Sequence, residues 1–600
     1  MRATRKLARF LRPYWAWAVA APLLMALEVA MDLLQPWLVE RIIDQGVARG
    51  DMRLVLATGG WMLAAALVGL AGGMGCAVYA ILAGQHFGAD LRAALFRKVQ
   101  SLSFANLDQL ETGALITRLT NDVTQLQELV MMLLRVMVRV PLLFVGSLII
   151  AIITSPQLAL LFLGLIPVVL VALIVIINKT FPMFGEVQRR LDTLNTVMQE
   201  NLAGARVVKA FARAQHELAR FGRANDSLMD QNTAAMRASA VTMPFMMLAL
   251  NTGVVAALWV GGVKIANGTL QAGQLVAFIN YLMQALMSLM MVSMLIIRVA
   301  RAAASAERVE QVLASQSAIQ PEPGAIADFA PRGRLAFEHV SFGYGDEGRR
   351  TNDEKGATAS SVVRPASLVL SDISFTAEPG QTVALLGATG TGKSTLVNMI
   401  PRFYDVTGGR VTLDGVDVRA LDPAALRRAV GIALQESVLF SGTIRDNIRY
   451  GRPGAGDDEV LAAAQMAQAH DFILRLPDGY DSLVGQRGVN LSGGQRQRIA
   501  IARTLLVRPA VLILDDSTSA VDVETEARIQ AALAEGRASQ TRLVVAQRIS
   551  TVLGADLILV LDDGRIAAAG THAELLASSP IYREIYESQL EAGAVNHGPA

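Results

Sequence analysis

GATGTGKST, residues 387–395, decides how the second half of this chain is read. It follows an apolar stretch, TVALL (382–386), and leads into another, LVNMI (396–400). A strand, a glycine-rich loop and a helix in that order form a phosphate loop. Glycines such as Gly387, Gly390 and Gly392 let backbone N–H groups close around phosphate oxygens, with Thr389 and Thr395 in the same loop. Lys393 supplies charge to the β- and γ-phosphates, and the Ser394 hydroxyl is offered to Mg2+. A helix N-terminus favours the bound anion. The expected ligands are ATP and Mg2+.

Two further segments fit the same chemistry. In VLILDD (511–516) four apolar residues read as a buried strand that ends in a carboxylate, and Asp515 is placed to hold Mg2+ through water. LSGGQ (491–495) leads into RQRIAIARTLL, and a Ser-Gly-Gly turn opening a helix again suits phosphate.

The other half of the chain has a different solvent. Of the 600 residues, 52% are hydrophobic and 18% charged, whereas soluble globular chains carry about 25% charged residues. A membrane helix needs about 20 mostly apolar residues. Six runs qualify: Tyr14–Pro36, Val55–Ala83, Val130–Thr154, Leu158–Ile177, Pro244–Ile265 and Leu275–Val299. The basic start (Arg2, Arg5, Lys6, Arg9, Arg12) places the N-terminus in the cytoplasm. A signal peptide would have a shorter apolar run and a small-residue cleavage site. An even number of spans returns the chain to the cytoplasm. The outer turns TSPQ (154–157) and ANGTLQAG (266–273) are short, while the inner segments between spans two and three and between four and five are long and helical in pattern. The single cysteine, Cys76, excludes an internal disulfide and a cysteine metal cluster, and a net charge of +2 gives no support for a nucleic-acid partner.

Glu28 and Asp32 lie four residues apart in the first span, on one helix face, with Gln35 just beyond. Ionisable groups inside a membrane helix usually face an interior cavity. They read either as a polar lining or cation-binding patch in a translocation path, or as a near-interface position or a structural hydrogen bond to a neighbouring helix. Met-rich LMQALMSLMMVSM (282–294) reads either as adaptable ligand surface or as ordinary core.

Together these motifs resemble the ATP-binding cassette (ABC) family, and within it a half-transporter of the exporter type. The marks are the phosphate loop, Tyr344 in SFGYG, Gln435 in IALQE, LSGGQ, VLILDD and the SAVD stretch Ser519 to Asp522. TGALITRLTNDV (112–123) and ENLAGARVVKAF (200–211) are similar to that family's cytoplasmic loops. The resemblance implies an all-α six-helix transmembrane domain (type I exporter-like, also called type IV) over residues 1–305. A linker over 306–333, an α/β P-loop nucleotide-binding domain over 334–590 and a tail over 591–600 follow. Within the second domain, 345–366 reads as a flexible polar insertion. The implied activity is ATP-driven export of amphipathic small molecules, lipids or peptides across the cytoplasmic membrane. Such chains work as dimers, with each ATP between one chain's phosphate loop and the other's signature. The resemblance therefore assigns Ser492, Gly493, Gly494 and Gln495 to the partner's ATP. It assigns Tyr344 to adenine and Gln435 to Mg2+ or the attacking water. Short helices near Phe104–Leu110 and Ala212–His216 are the expected couplers.

Two positions depart from the family pattern. Asp516 stands where glutamate is usual, and Gln547, in VVAQRIS, stands where histidine is usual. Aspartate is one methylene shorter, and a displacement of about 1 Å costs about a hundredfold in rate. Glutamine donates a hydrogen bond but relays no proton. Gln486, in VGQRG, replaces a more usual acidic residue. The expectation is a site that binds ATP and turns it over slowly, in a heterodimer with a second half-transporter. An active homodimer and a nucleotide-gated regulator are the alternatives.

Overall fold

The structure is a computed structural model, and it describes residues 2–110, 112–344, 368–536 and 540–595. The expected insertion over 345–366 and residues 596–600 of the expected tail lie outside the described residues. The chain folds as two compact units, one of residues 1–101 and 111–315, the other of residues 102–110 and 316–600.

The first unit is helical. Its main elements are α1 (Trp15–Arg41), α2 (Met52–Gln100), α3 (Val123–Thr154), α4 (Pro156–Ala203), α5 (Ala214–Ala240), α6 (Thr242–Ala266) and α7 (Ala272–Ala314). Among the described residues, six stretches are long and apolar enough to cross a membrane, and α5 with α6 forms one of them. At 1.5 Å per residue, the 49 residues of α2 reach about 74 Å, so the helix runs far beyond a hydrocarbon core of about 30 Å.

Small residues set the closest packing. Along α2, Ala65, Gly69, Gly72, Cys76, Ala80 and Ala83 are buried at helical spacing. A Cβ on Gly72 would lie 3.0 Å from the Leu24 carbonyl, so glycine is what admits the backbone of α1. Proline does not end α1 at Pro36 as the span boundary expected: the helix continues to Arg41 with Pro36 buried. In a packed membrane helix, neighbouring groups satisfy the backbone acceptor that proline frees. Two side chains tie α1 to α7. The Tyr281 hydroxyl donates to the Leu33 carbonyl at 2.9 Å. Asp44, just past α1, accepts from the Gly273 and Gln274 N–H groups at 2.6 and 3.1 Å. That carboxylate caps the N-terminus of α7 and opposes the positive end of its dipole.

The expected boundary at 305 falls inside α7. Ala302, Ala306, Val309 and Val312 are buried at three- and four-residue steps, and that apolar stripe carries the helix on to Ala314. Of the expected short helix near Ala212–His216, residues 212 and 213 lie in a turn and residues 214–216 open α5. Residues 211–213 separate a helix Ala205–Ala210 from α5, and Ala212 adopts a φ of 52°.

The second unit is α/β. The strands of its two main sheets are β1 (Leu335–Phe342), β2 (Leu370–Ala377), β3 (Thr382–Leu386), β4 (Gly408–Leu413), β5 (Val416–Asp417), β6 (Val430–Ala433), β7 (Val511–Asp515), β8 (Thr541–Val545), β9 (Leu557–Asp562) and β10 (Arg565–Gly570). One sheet has the order β2–β1–β4–β5, and the larger one β10–β9–β3–β8–β7–β6. Within the larger sheet β9, β3, β8, β7 and β6 run parallel. Such strands are covered on both faces and read as continuous apolar runs, as VLIL and TVALL do. The short helix Phe104–Gln109 folds with this unit. Ser103 caps it, Phe104 packs on Phe403 with ring centroids 4.5 Å apart, and Tyr404 donates to Asp108 at 2.5 Å.

Asp122, 2% exposed, accepts from Ser305 at 2.9 Å and from Arg308 Nε at 2.8 Å, both on α7. Removing one partner of a buried ion pair costs about 3–5 kcal/mol, and the half-exposed Arg308 guanidinium reduces this. Arg308→Ala is expected to destabilise the helical unit by about 2 kcal/mol. Asp122→Ala in that background should add little, as read by thermal unfolding in detergent.

Candidate functional site

Register brings the site together. Val545 of β8 lies opposite Leu385 of β3 on one side and Asp515 of β7 on the other. Three loops therefore leave the carboxyl ends of adjacent parallel strands at one level: Gly387–Thr395, Asp515–Asp516 and Ala546–Arg548. Ligands of open α/β sheets bind at that edge.

The phosphate loop enters α8 (Lys393–Met399). Gly390 and Gly392 hold φ of 91° and 94°, which favours glycine, and a Cβ on Gly392 would meet Leu370 Cδ2 at 2.8 Å. Lys393 folds back and donates to the Gly387 and Ala388 carbonyls at 2.8 and 2.7 Å. Burial pulls its ammonium pKa down, and Asp516 and Asp515 oppose that pull. Thr391 closes the loop by donating to the Ala388 carbonyl at 3.0 Å. Ser394 donates to Asp515 Oδ1 at 3.2 Å.

Asp515, 4% exposed, has its carboxyl pushed up by burial, with the Ser394 hydrogen bond acting the other way. Asp516 is also pushed up by burial, while Lys393 and Arg548 pull it down. Its backbone is left-handed, with φ of 47°, a conformation aspartate tolerates better than most residues. Gln547 and Gln435 both donate to the same oxygen, Asp516 Oδ2, at 3.1 and 3.4 Å. The Tyr344 hydroxyl lies 3.1 Å from Thr395 Oγ1, and its ring stands edge-on to Phe342 and Tyr404 with 53% of the residue exposed.

The signature segment stands apart. Ser492 caps α9 (Gly493–Leu506) in a reciprocal pair: its Oγ accepts from Gln495 N at 3.3 Å, and its own N–H donates to Gln495 Oε1 at 2.9 Å. Among the described residues, no hydrogen bond joins 491–495 to 387–395. A Cβ on Gly494 would lie 2.8 Å from the Ala520 carbonyl, so the glycine admits the Ser519–Asp522 stretch.

Sequence reasoning missed the residues that lock these loops to one another. Gln497 of α9 accepts from Ala520 N at 2.9 Å and donates to Ser519 Oγ at 3.1 Å. Arg548 donates to the Ser519 carbonyl at 3.1 Å and pairs with buried Glu526 at 3.3 Å. Glu526 lies on α10 (Val523–Gly536) and also accepts from Thr518 and Thr551, at 2.7 and 2.8 Å. Gln589, on α11 (Pro580–Val595), donates to the Gln547 carbonyl at 2.8 Å and accepts from Ile549 N at 2.8 Å. Arg548 stands inside the quoted VVAQRIS, but nothing local in the sequence ties Gln589 to it.

Comparison with known proteins now applies to this geometry. Residues 19–289 match the family model of the ABC transporter transmembrane region, and 370–519 match the one described as ABC transporter. An uncharacterized ABC transporter ATP-binding protein of Bacillus subtilis, YfiB, is 42% identical over 586 residues, 98% of each chain. This chain belongs to the ABC transporter family. An ATP-dependent lipid A-core flippase of Syntrophus aciditrophicus is 33% identical over 85% of this ABC chain and 82% of its own. A solved bacterial Atm1-family ABC exporter with ATP bound superposes with a TM-score of 0.78 at 28% identity, covering 96% of this chain and 98% of that one. The ABC chain is thus a multi-pass membrane exporter of the type IV architecture, and its α/β unit is a cytoplasmic transport ATPase that binds ATP.

Gln589 clips both sides of the loop that carries Gln547, and a hydrogen bond of this kind contributes about 0.5–1.5 kcal/mol. Gln589→Ala is therefore expected to speed hydrogen exchange over residues 546–551 by about tenfold. Exchange in 387–395 should be unchanged, as read by peptide mass spectrometry.

Proposed function

We propose that this exporter subunit pairs with a different half-transporter. Its own ATP site binds nucleotide and turns it over slowly, and its signature segment completes the partner's faster site. The carrying observation is the environment of Asp516. Hydrolysis needs a carboxylate that orients a water in line with the γ-phosphate. Here the carboxylate is one methylene short of glutamate, and both neighbouring amides donate to the same oxygen. Neither amide can take up or relay a proton. Loss of general acid–base help costs typically ~10²–10⁴-fold.

Binding draws on other residues. Lys393 and the N–H groups from Gly387, Thr389, Gly390 and Gly392 through Ser394 and Thr395 would cradle the phosphates, and the exposed face of Tyr344 would take the adenine. For Mg2+, Ser394 and Asp515 supply a hydroxyl and a carboxylate within 3.2 Å of one another. Among the described residues no cluster of three or more His, Cys, Asp or Glu stands ready to hold a metal. The oxygen set therefore fits an ion that arrives with the nucleotide's phosphates, which is how Mg2+ is usually held. Gln435 is the third residue assigned to it, and Mg2+ would neutralise charge on the β- and γ-oxygens. Ser492, Gly493, Gly494 and Gln495 are assigned to the partner's ATP, which agrees with the exposure of Ser492 and its separation from this chain's own phosphate loop. The flippase relative and the apolar cavity walls support amphipathic substrates, including lipids, small molecules and peptides.

The test is purification from the native membrane followed by ATPase assays. A second kind of subunit should co-purify. Asp516→Glu with Gln547→His should raise turnover at this site by about tenfold or more. Lys393→Ala should weaken nucleotide binding on this chain. Ser492→Arg, although on this chain, should abolish the fast turnover of the assembled pair. A homodimer that turns over rapidly would overturn the asymmetric reading.

A further inference from the structure

A cavity of about 720 Å3 opens in the helical unit among α1, α2 and α3. That volume lies within the ordinary range of about 300–1,000 Å3 for small-molecule sites. Its apolar wall includes Met25, Met31, Leu70 and Met74, side chains that adapt to varied hydrocarbon shapes. Glycines widen it: a Cβ on Gly73 would lie 2.7 Å from Glu28 Oε2.

The charged groups on its lining are Glu28, Asp32, Arg135 and Arg139. Arg139 spans the two acids. Its Nη1 donates to Glu28 Oε1, and its Nη2 donates to Asp32 Oδ2 at 3.0 Å. A cation entering the cavity would have to displace that guanidinium. Arg135 lies one helical turn before Arg139 on the same lining, is exposed, and pairs with no carboxylate among the described residues. A guanidinium is a planar fork that matches carboxylate or phosphate oxygens. An ionised side chain in a membrane span normally faces a partner or a functional cavity.

From this arrangement we infer that the cavity binds a single-chain amphiphile with an anionic headgroup, the headgroup on Arg135 and the tail against the methionine wall. The Glu28–Arg139–Asp32 cluster beside it, two carboxylates on one guanidinium, keeps a net negative charge and is bonded within itself, which leaves Arg135 as the cation on the lining with no carboxylate partner among the described residues. This deepens the amphiphile part of the proposed function, and it is independent of which ATP site hydrolyses.

The test is equilibrium binding with ATP omitted, so its outcome does not depend on catalytic asymmetry. The full chain, with whatever subunit co-purifies, is placed in phosphatidylcholine nanodiscs and titrated with a dansyl-labelled fatty acid. Competitors are dodecyl phosphate, dodecylamine and inorganic phosphate. Saturable binding is expected, displaced by dodecyl phosphate and not by the other two. Arg135→Gln should weaken dodecyl phosphate by about tenfold or more, the effect of losing a charge-assisted hydrogen bond. Arg135→Lys should fall between, and Arg135→Glu should turn the preference towards dodecylamine. Nucleotide binding at Lys393 serves as the control for folding. Equal displacement by dodecylamine, or unchanged affinity in Arg135→Gln with nucleotide binding intact, overturns the inference. Equal displacement by inorganic phosphate would show a free-anion site and overturn the amphiphile assignment.

Discussion

The parallel register of β3, β8 and β7 is the constraint on which the ATP site depends. Backbone hydrogen bonds fix Val545 between Leu385 and Asp515, so the strand ends finish together. The phosphate loop, the two aspartates and the segment carrying Gln547 are far apart in sequence, and they meet because their strands do. A slip of one residue in any of these pairs would turn its side chains to the opposite face of the sheet. Since both faces of these strands are buried, the fit of their packed side chains rather than an apolar–polar alternation opposes such a slip.

The loops at that edge are joined to one another. Gln497 of the signature helix holds the Ser519–Asp522 stretch from one side, and Arg548 with Glu526 holds it from the other. Gln589 then anchors the segment on either side of Arg548. Contacts thus run without a break from the segment carrying Gln547, through the adjoining Arg548, to the stretch packed on Gly493 and Gly494. This gives a route of hydrogen bonds from the loop that carries Gln547 to the signature segment. Buried Glu526, which three side chains share, makes the route stiff.

The helical unit follows a different rule. Lipid offers little hydrophobic drive between helices, so close approach and polar contacts decide the packing. Small residues on α2 admit α1, Asp44 caps α7, and Arg139 joins α3 to α1. The sequence pointed to Glu28 and Asp32 as a paired face and left their purpose open between a polar lining and a structural bond. In the structure both acids are bonded to Arg139, and both lie on the wall of a cavity.

The sequence by itself determined the two-part architecture, the six spans and the motifs of the nucleotide site. Those signals are local: apolar length, glycine spacing, and a carboxylate at a strand's end. It also showed the aspartate and glutamine substitutions, since these are single letters in recognisable segments. Tertiary structure alone decided that Gln435 and Gln547 share one oxygen of Asp516, that Gln589 brackets residues 547–549, and that Arg139 rather than Arg135 meets the acids. It also decided where α7 ends and that Ala212 sits in a turn. Periodicity reports which residues share a face of one element. It carries no information on which atoms of distant elements come within hydrogen-bond reach, because that is fixed by sheet register and helix packing.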